Sequence, residues 1–152
     1  MGRVGNRERE HILLHLANLR IQENMKIKIL LIDDEPFLLK VLLARLKHWG
    51  YDAMGAADGP EGLEAMRKNC PDLVILDKEM PGMNGDQVVR IIKTDEALKH
   101  IPVMMISADV EDLAMCARGC GLEYYLAKPF EAEALLAMIK TLLYPVESQH
   151  VH

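Results

Sequence analysis

Two apolar rhythms alternate along this chain. One is short and nearly unbroken: Lys28–Ile32, residues 73–76 and residues 103–106 are dominated by Val, Ile, Leu and Met, which suits strands covered on both faces, as in a parallel sheet. Residues 124–127 predict another such strand, and Asp52–Ala56 a weaker one. The other rhythm has the three-to-four-residue spacing of a helix stripe: Leu39, Leu42, Leu43, Leu46 and Trp49; then Leu63, Ala65 and Met66; then Leu135, Met138, Ile139 and Leu142. Punctuation separates the two. Pro36 fits the first turn of a helix, where its missing donor costs nothing, and Gly50 ends that helix. Asp58 caps the next, which runs to Asn69, and Pro71 resets the chain. Pro81, Gly82, Asn84 and Gly85 predict a loop before a helix from about Asp86 through Ile92. A loop over residues 95–100 and Pro102 follow, and Asp109 can cap a helix that stops near Gly119 or Gly121. Residues 131–143 close the chain as a helix whose first-turn acids complement its dipole. Five β–α units joined by right-handed crossovers predict an α/β fold, a parallel sheet between two helical layers.

Residues 1–24 stand outside this alternation. MGRVGNRERE is polar and reads as frayed, whereas Ile12, Leu16, Leu19 and Glu23, with Leu13 and Arg20 beside them, have the spacing of an amphipathic helix. Such a helix wants a partner: its own domain, a second copy of the chain, or another protein. Equally, Met25 could be the natural start, with the upstream segment incidental. His11 and His15 sit one turn apart but lack a third metal ligand nearby, so they read as a solvated face. The expected organisation is an extension over residues 1–24, one domain over 25–145 and a tail over 146–152.

Composition narrows the functional classes. With 152 residues, half of them hydrophobic, the chain can build one sizeable core, and a second folded domain does not fit. The net charge of −5 comes from 23 acids against 18 bases without a basic block, so the electrostatic footprint of a nucleic-acid binder is missing. Three unevenly spaced cysteines make no disulfide framework. Cys116 and Cys120 lie one turn apart, with Cys70 distant and no CxxC spacing, and read as small buried residues; the methionines read as core filler. No apolar run approaches the ~18 residues of a membrane helix. Without a signal-peptide pattern, the expected location is the cytoplasm.

The chemistry collects where the strands end. Residues 73–76 stop on Asp77; Lys28–Ile32 ends on Asp33, Asp34 and Glu35; residues 103–106 end on Ser107; residues 124–127 end on Lys128 and Pro129. In open α/β sheets this carboxyl edge is where ligands bind. Each residue has a bland reading by itself: a surface lysine, a loop hydroxyl, a helix-capping acid pair. Together they put Asp33, Asp34 and Asp77 on one rim, where each close pair of carboxylates at ~4 Å and an effective dielectric of ~20 costs about 4 kcal/mol before screening. Such a cluster needs a positive partner, and an all-oxygen donor set favours a hard cation, Mg²⁺ first and Mn²⁺ as a substitute.

In order and spacing, IDDEP, LDKEMPGMNGD, PVMMISA and YYLAKPF resemble the signature segments of the response-regulator receiver domain of two-component signalling, over roughly residues 26–144. The resemblance implies the flavodoxin-like strand order 2-1-3-4-5. It implies that Asp34 and Asp77 bind Mg²⁺ directly, Asp33 through water and Glu79 through its backbone carbonyl. Asp77 would be the nucleophile, taking a phosphoryl group from a histidine kinase or phosphotransfer protein, with Lys128 neutralising charge in flight. Ser107 and Tyr125 would report the phosphate to the face built from the fourth helix, fifth strand and fifth helix of the β–α series, where a downstream protein, or a second copy, docks. Alternation gives Tyr125 and Lys128 opposite facings, and the Lys128–Pro129 bond is expected cis. The chain would be a stand-alone, self-modifying and self-resetting switch rather than an enzyme in the ordinary sense, touching neither nucleic acid nor membrane.

Two departures stand against the family pattern. Glu79 puts a carboxylate two residues past Asp77, and Leu122 replaces the small residue commonly seen after the family's glycine. Two other functions compete: a receiver-like interaction module without phosphorylation, against which the complete acid set argues, and a Mg²⁺-dependent phosphohydrolase. A haloacid-dehalogenase-type enzyme needs DxD, whereas Asp77 is followed by Lys78 and Glu79.

Overall fold

A computed structural model describes residues 4–109, 111–112, 115, 119, 122 and 124–145. The elements run α1 (Val4–Asn24), β1 (Lys28–Ile32), α2 (Pro36–His48), β2 (Asp52–Ala56), α3 (Gly59–Asn69), β3 (Leu73–Asp77), α4 (Gly85–Thr94), β4 (Val103–Ser107), β5 (Tyr125–Ala127) and α5 (Ala132–Leu143). Between β4 and β5, Glu111, Asp112, Met115 and Gly119 are also helical; Cys116, Cys120 and Gly121 lie outside the described residues.

The five strands are all parallel and ordered β2-β1-β3-β4-β5, as the resemblance implies. β1, β3 and β4 are central, and apart from Lys28 every residue in them is buried. Their side chains alternate between the two sides of the sheet. Leu30, Ile32, Val74, Leu76, Val103 and Met105 pack on one side with Leu63 and Met66 of α3 and Val88, Val89 and Ile92 of α4. Ile29, Leu31, Leu73, Ile75, Met104 and Ile106 pack on the other with Leu42 and Leu46 of α2 and Leu135 and Ile139 of α5. Most of the predicted helix stripes thus face the core, with Leu39, Leu43, Trp49, Met138 and Leu142 half-buried against it. Leu122, the unusual residue, is buried beside the α3 and α4 cluster.

The punctuation behaves as its chemistry dictates. Asp58 Oδ1 accepts the N–H of Glu61 at 2.8 Å and starts α3. Gly50, just past α2, takes the left-handed conformation that ends helices, with φ +95°. α4 opens on a reciprocal capping box at Asn84, which the sequence places in the loop: Asn84 Oδ1 accepts from Gln87 N and Gln87 Oε1 from Asn84 N, each at 3.0 Å. β5 begins at Tyr125 rather than Tyr124, although the Tyr124 carbonyl accepts a bond from Met105.

α1 is helical from Val4, earlier than its polar start suggests, because nothing in GNRERE breaks a helix except one glycine. Ile12, Leu13 and Leu16 of the expected stripe are exposed, and so is Leu14, which lies off it; the side chains of Leu19, Arg20 and Glu23 lie outside the described residues. Among the described residues no helix is long and apolar enough to cross a membrane.

Candidate functional site

The site lies at the carboxyl ends of the strands, and backbone hydrogen bonds carry the ladder past the last strand residues. Asp33 N–H donates to the Ala56 carbonyl at 3.1 Å, Lys78 N–H to Ile106 at 2.9 Å and Lys128 N–H to Ser107 at 2.7 Å. Those bonds fix the backbone beside each functional side chain. Strand parity then divides them. Asp33, Asp77 and Lys128 continue the alternate positions that face α2 and α5, whereas Ser107 and its strand partner Ala127, with Tyr125, continue the opposite set.

On the first side, Asp33 is fully buried and Asp77 is 3% exposed, while Asp34 is open to solvent. Ligand oxygens of all three lie within 4.8 Å of one another. Lys128 reaches this cluster from beyond β5, its Nζ 3.4 Å from Asp77 Oδ1 and 3.5 Å from Asp33 Oδ2. The Lys128–Pro129 bond is cis, as expected. Asp33 Oδ1 accepts the Glu35 N–H at 2.9 Å, a turn bond that shapes the approach to α2; Glu35 is the residue at the cap position, and among the described residues no side chain caps the helix. Its Oδ2 is different: buried, it accepts no hydrogen bond. With the Lys128 ammonium 3.5 Å away and no hydrogen bond, this buried oxygen is under-satisfied, and facing two further carboxylates it suits a cation. The all-carboxylate donor set fits Mg²⁺.

Electrostatics follow from this packing. Burial pushes the Asp77 carboxyl up to about 6, Asp33 adds to the rise, Lys128 opposes it, and Glu79 adds a little more. Asp77 is therefore more basic than an ordinary carboxylate yet ionised above pH 6, a combination that suits a nucleophile. For Lys128, burial works to lower its pKa, but the charges of Asp77 and Asp33 outweigh it and the net shift is upward. It stays an ammonium.

Gly85 explains how α4 can start so near. A β-carbon there would sit 2.8 Å from both the Asp77 carbonyl oxygen and Lys78 Cα, backbone atoms that cannot move aside. Only glycine lets the helix close over the strand end.

On the second side, Ser107 is fully buried. Its Oγ donates to Glu79 Oε1 and accepts the N–H of Asp109 at 3.1 Å. Asp109 Oδ1 in turn accepts the Asp112 N–H at 3.0 Å, the cap predicted for this segment. Tyr125 is 38% exposed. Lys78, for which the sequence suggests no role, is buried and forms an ion pair with Asp112. The signal for it was present: a lysine directly after a buried strand cannot stay there unpaired. The partner, however, depends on a loop path that spacing does not reveal. His11 and His15 join no group of three metal ligands among the described residues.

Comparison with known proteins places this geometry. The response regulator receiver domain family matches residues 29–140. The DNA-binding response regulator MtrA of Mycolicibacterium smegmatis is 35% identical over 123 residues, covering 80% of this chain and 52% of MtrA. The hybrid signal transduction histidine kinase D of Dictyostelium discoideum is 34% identical over 125 residues, 80% of this chain and 8% of the kinase. The chain thus spans about half the length of MtrA. Among solved structures, the chemotaxis response regulator CheY4 of Vibrio cholerae superposes with a TM-score of 0.73 at 28% identity, covering 78% of this chain and 100% of CheY4. A response regulator receiver domain protein from Clostridium thermocellum gives 0.70 at 32%, covering 77% and 94%. Sheet order, strand-end acids and sequence agree: the chain belongs to the response regulator receiver domain family of two-component signal transduction.

Proposed function

We propose that this chain is a phosphoacceptor switch in which Asp77 takes a phosphoryl group from a phosphohistidine on a histidine kinase or phosphotransfer protein. The observation that carries the reading is the meeting of a basic buried carboxylate, Asp77, with the Lys128 ammonium 3.4 Å away, beside the unfilled oxygen of Asp33. In the transfer the P–N bond of the donor breaks, a P–O bond to an Asp77 carboxylate oxygen forms, and the electron pair stays on the donor's imidazole. Lys128 holds positive charge where the phosphoryl oxygens pass, which is most of what a protein supplies to this reaction. Asp33, Asp34 and Asp77, with the Glu79 backbone carbonyl, would hold Mg²⁺, which when bound offsets the negative charge of the phosphoryl group. Attack by water on phosphorus later returns Asp77 to a carboxylate and releases inorganic phosphate. The cycle is self-modification and self-reset, not turnover of an outside substrate.

Ser107 and Tyr125 are the reporting pair. Ser107 donates its hydroxyl to a phosphoryl oxygen, and Tyr125, exposed two β4–β5 register positions away, responds at the surface that meets a downstream protein or a second copy. Phosphorylation shifts a pre-existing equilibrium to the extent that contacts differ between the two states. These partners are proteins in the cytoplasm, and the acidic balance of the chain disfavours direct contact with nucleic acid.

The test is incorporation of labelled phosphoryl group from acetyl phosphate. The parent should take up label only with Mg²⁺, and Asp77→Asn should take up none. Uptake by Asp77→Asn would overturn Asp77 as acceptor. No uptake by the parent would leave an unphosphorylated interaction module, and steady release of phosphate without retained label would indicate a phosphohydrolase.

A further inference from the structure

Ser107 has one hydroxyl proton, and in this structure its nearer acceptor is the Glu79 carboxylate, with the Asp109 carbonyl farther off at 3.4 Å. We propose that Glu79 is a positioning residue that competes with the phosphoryl group for the Ser107 hydroxyl, so that the chain's own carboxylate sets how readily the switch engages. The proposal rests on the phosphoacceptor reading of Asp77.

The competition follows from what is free to move. The backbone of Ser107 is pinned: it pairs with Ala127 in β5, and its carbonyl accepts the Lys128 N–H at 2.7 Å. The hydroxyl can therefore reach an oxygen on Asp77 only by rotating its side chain. Rotation breaks the bond to Glu79, because one O–H donates to one strong acceptor at a time, and it also withdraws the acceptor of the Asp109 N–H. The Ser107–Glu79 bond is charge-assisted, which makes it stronger than a bond between neutral groups. Glu79 itself sits on an exposed loop and can swing into solvent, so the competitor can be displaced without disturbing the core. The preceding residue does not share this freedom. Buried Lys78 is committed to Asp112, so when Glu79 lets go, the loop after β3 stays tied to the segment after β4 at a second point. Release is thus local to Ser107 and its neighbour Asp109.

Beryllofluoride with Mg²⁺, a mimic of the phosphoryl group, provides the probe, and the Asp109 amide resonance reports the position of Ser107. Breaking a bond to a charged acceptor costs roughly a factor of ten or more in the equilibrium, so Glu79→Ala should bind beryllofluoride about tenfold more tightly than the parent. Its Asp109 amide should already be shifted before any metal or beryllofluoride is added. Glu79→Gln keeps an acceptor without the charge, and should fall between the two. Loss of negative charge alone would also help an anion bind, and a double-mutant cycle separates the two effects. In a Ser107→Ala background competition has no proton to contest, so the gain from Glu79→Ala should shrink to the contribution of charge alone. An equal gain in both backgrounds, or no gain in the parent background, overturns the competition while leaving Asp77 as acceptor. A parent that takes neither beryllofluoride nor label from acetyl phosphate overturns both readings together. Thermal melts of each variant verify that the fold is kept.

Discussion

On the side of the sheet facing α2 and α5, Asp33 and Asp77 are sealed from solvent and held by strand-extending backbone bonds, with Lys128 folded over them. On the other side Ser107 is just as deeply buried, yet it answers to an exposed carboxylate, and Tyr125 on the same face is 38% exposed. The strands repeat the difference: β3 is buried along its whole length and β5 at none of its three positions. A group that must accept a phosphoryl unit needs fixed geometry, because misplacement is costly to reaction rates. A group that must report the event needs two arrangements of similar energy. On the proposed reading the rim assigns these needs to opposite sides of one sheet.

The strongest test of that division removes one side at a time. Lys128→Ala should slow label incorporation from acetyl phosphate by ~10²-fold, the size of loss seen when a charge-stabilising donor is taken from a reacting centre. Tyr125→Ala should leave that rate close to the parent's and weaken only the phosphorylation-dependent contact with a partner. A Tyr125→Ala variant as slow as Lys128→Ala would erase the distinction.

A second test reads the strain on the sealed side through pH. The Asp77 carboxyl is raised from 3.8 to about 6 in the folded chain, first by burial and then by Asp33, so the folded state favours its protonated form. Stability from this group is complete below about pH 4, is lost as pH rises toward 6, and stays lost above. Without divalent metal, Asp77→Asn should therefore melt higher than the parent at neutral and alkaline pH, by roughly 9 °C for a penalty of about 3 kcal/mol. The two curves should converge near the unfolded value. A difference that persists unchanged through acid pH would assign the effect to shape rather than charge.

The smallest effect concerns the cation. At ten times its dissociation constant Mg²⁺ contributes about 1.4 kcal/mol of linkage, a rise of roughly 4 °C in the melting temperature for a chain of this size. Asp34→Ala should blunt the rise, and Tyr125→Ala should not, since it lies on the reporting side. Equal rises in the parent and Asp34→Ala would remove the proposed metal site.

The sequence reveals the sealed side better than the reporting side, for a physical reason. Buried parallel strands must be apolar along their length, so the polar residue that ends each run marks the rim, which places Asp33, Asp77 and Ser107; Lys128 ends the unburied β5 and is marked also by the family resemblance of YYLAKPF. The Ser107–Glu79 bond, the Lys78–Asp112 pair and the capping box of α4 belong instead to loops, where a side chain's partner depends on the path of the backbone. Glu79 could be singled out as unusual beside Asp77, but its contact with Ser107 could not. α1 shows the same limit in another form: helical spacing is visible, yet Leu14 is exposed off the expected stripe, and nothing in the spacing says what faces it.

The placement of Asp33 after β1, Asp77 on β3, Ser107 on β4 and Lys128 after β5 bears on how the cell could be misled. Each of these loops, cut out as a peptide, would present an ordinary acid, alcohol or amine with no special reactivity. On the proposed reading competence arises only when every strand has docked, because the last one delivers the ammonium. A nascent, damaged or partly unfolded copy should therefore be mute, unable to accept a phosphoryl group and unable to announce one. Errors of folding would subtract from the signal and would not counterfeit it.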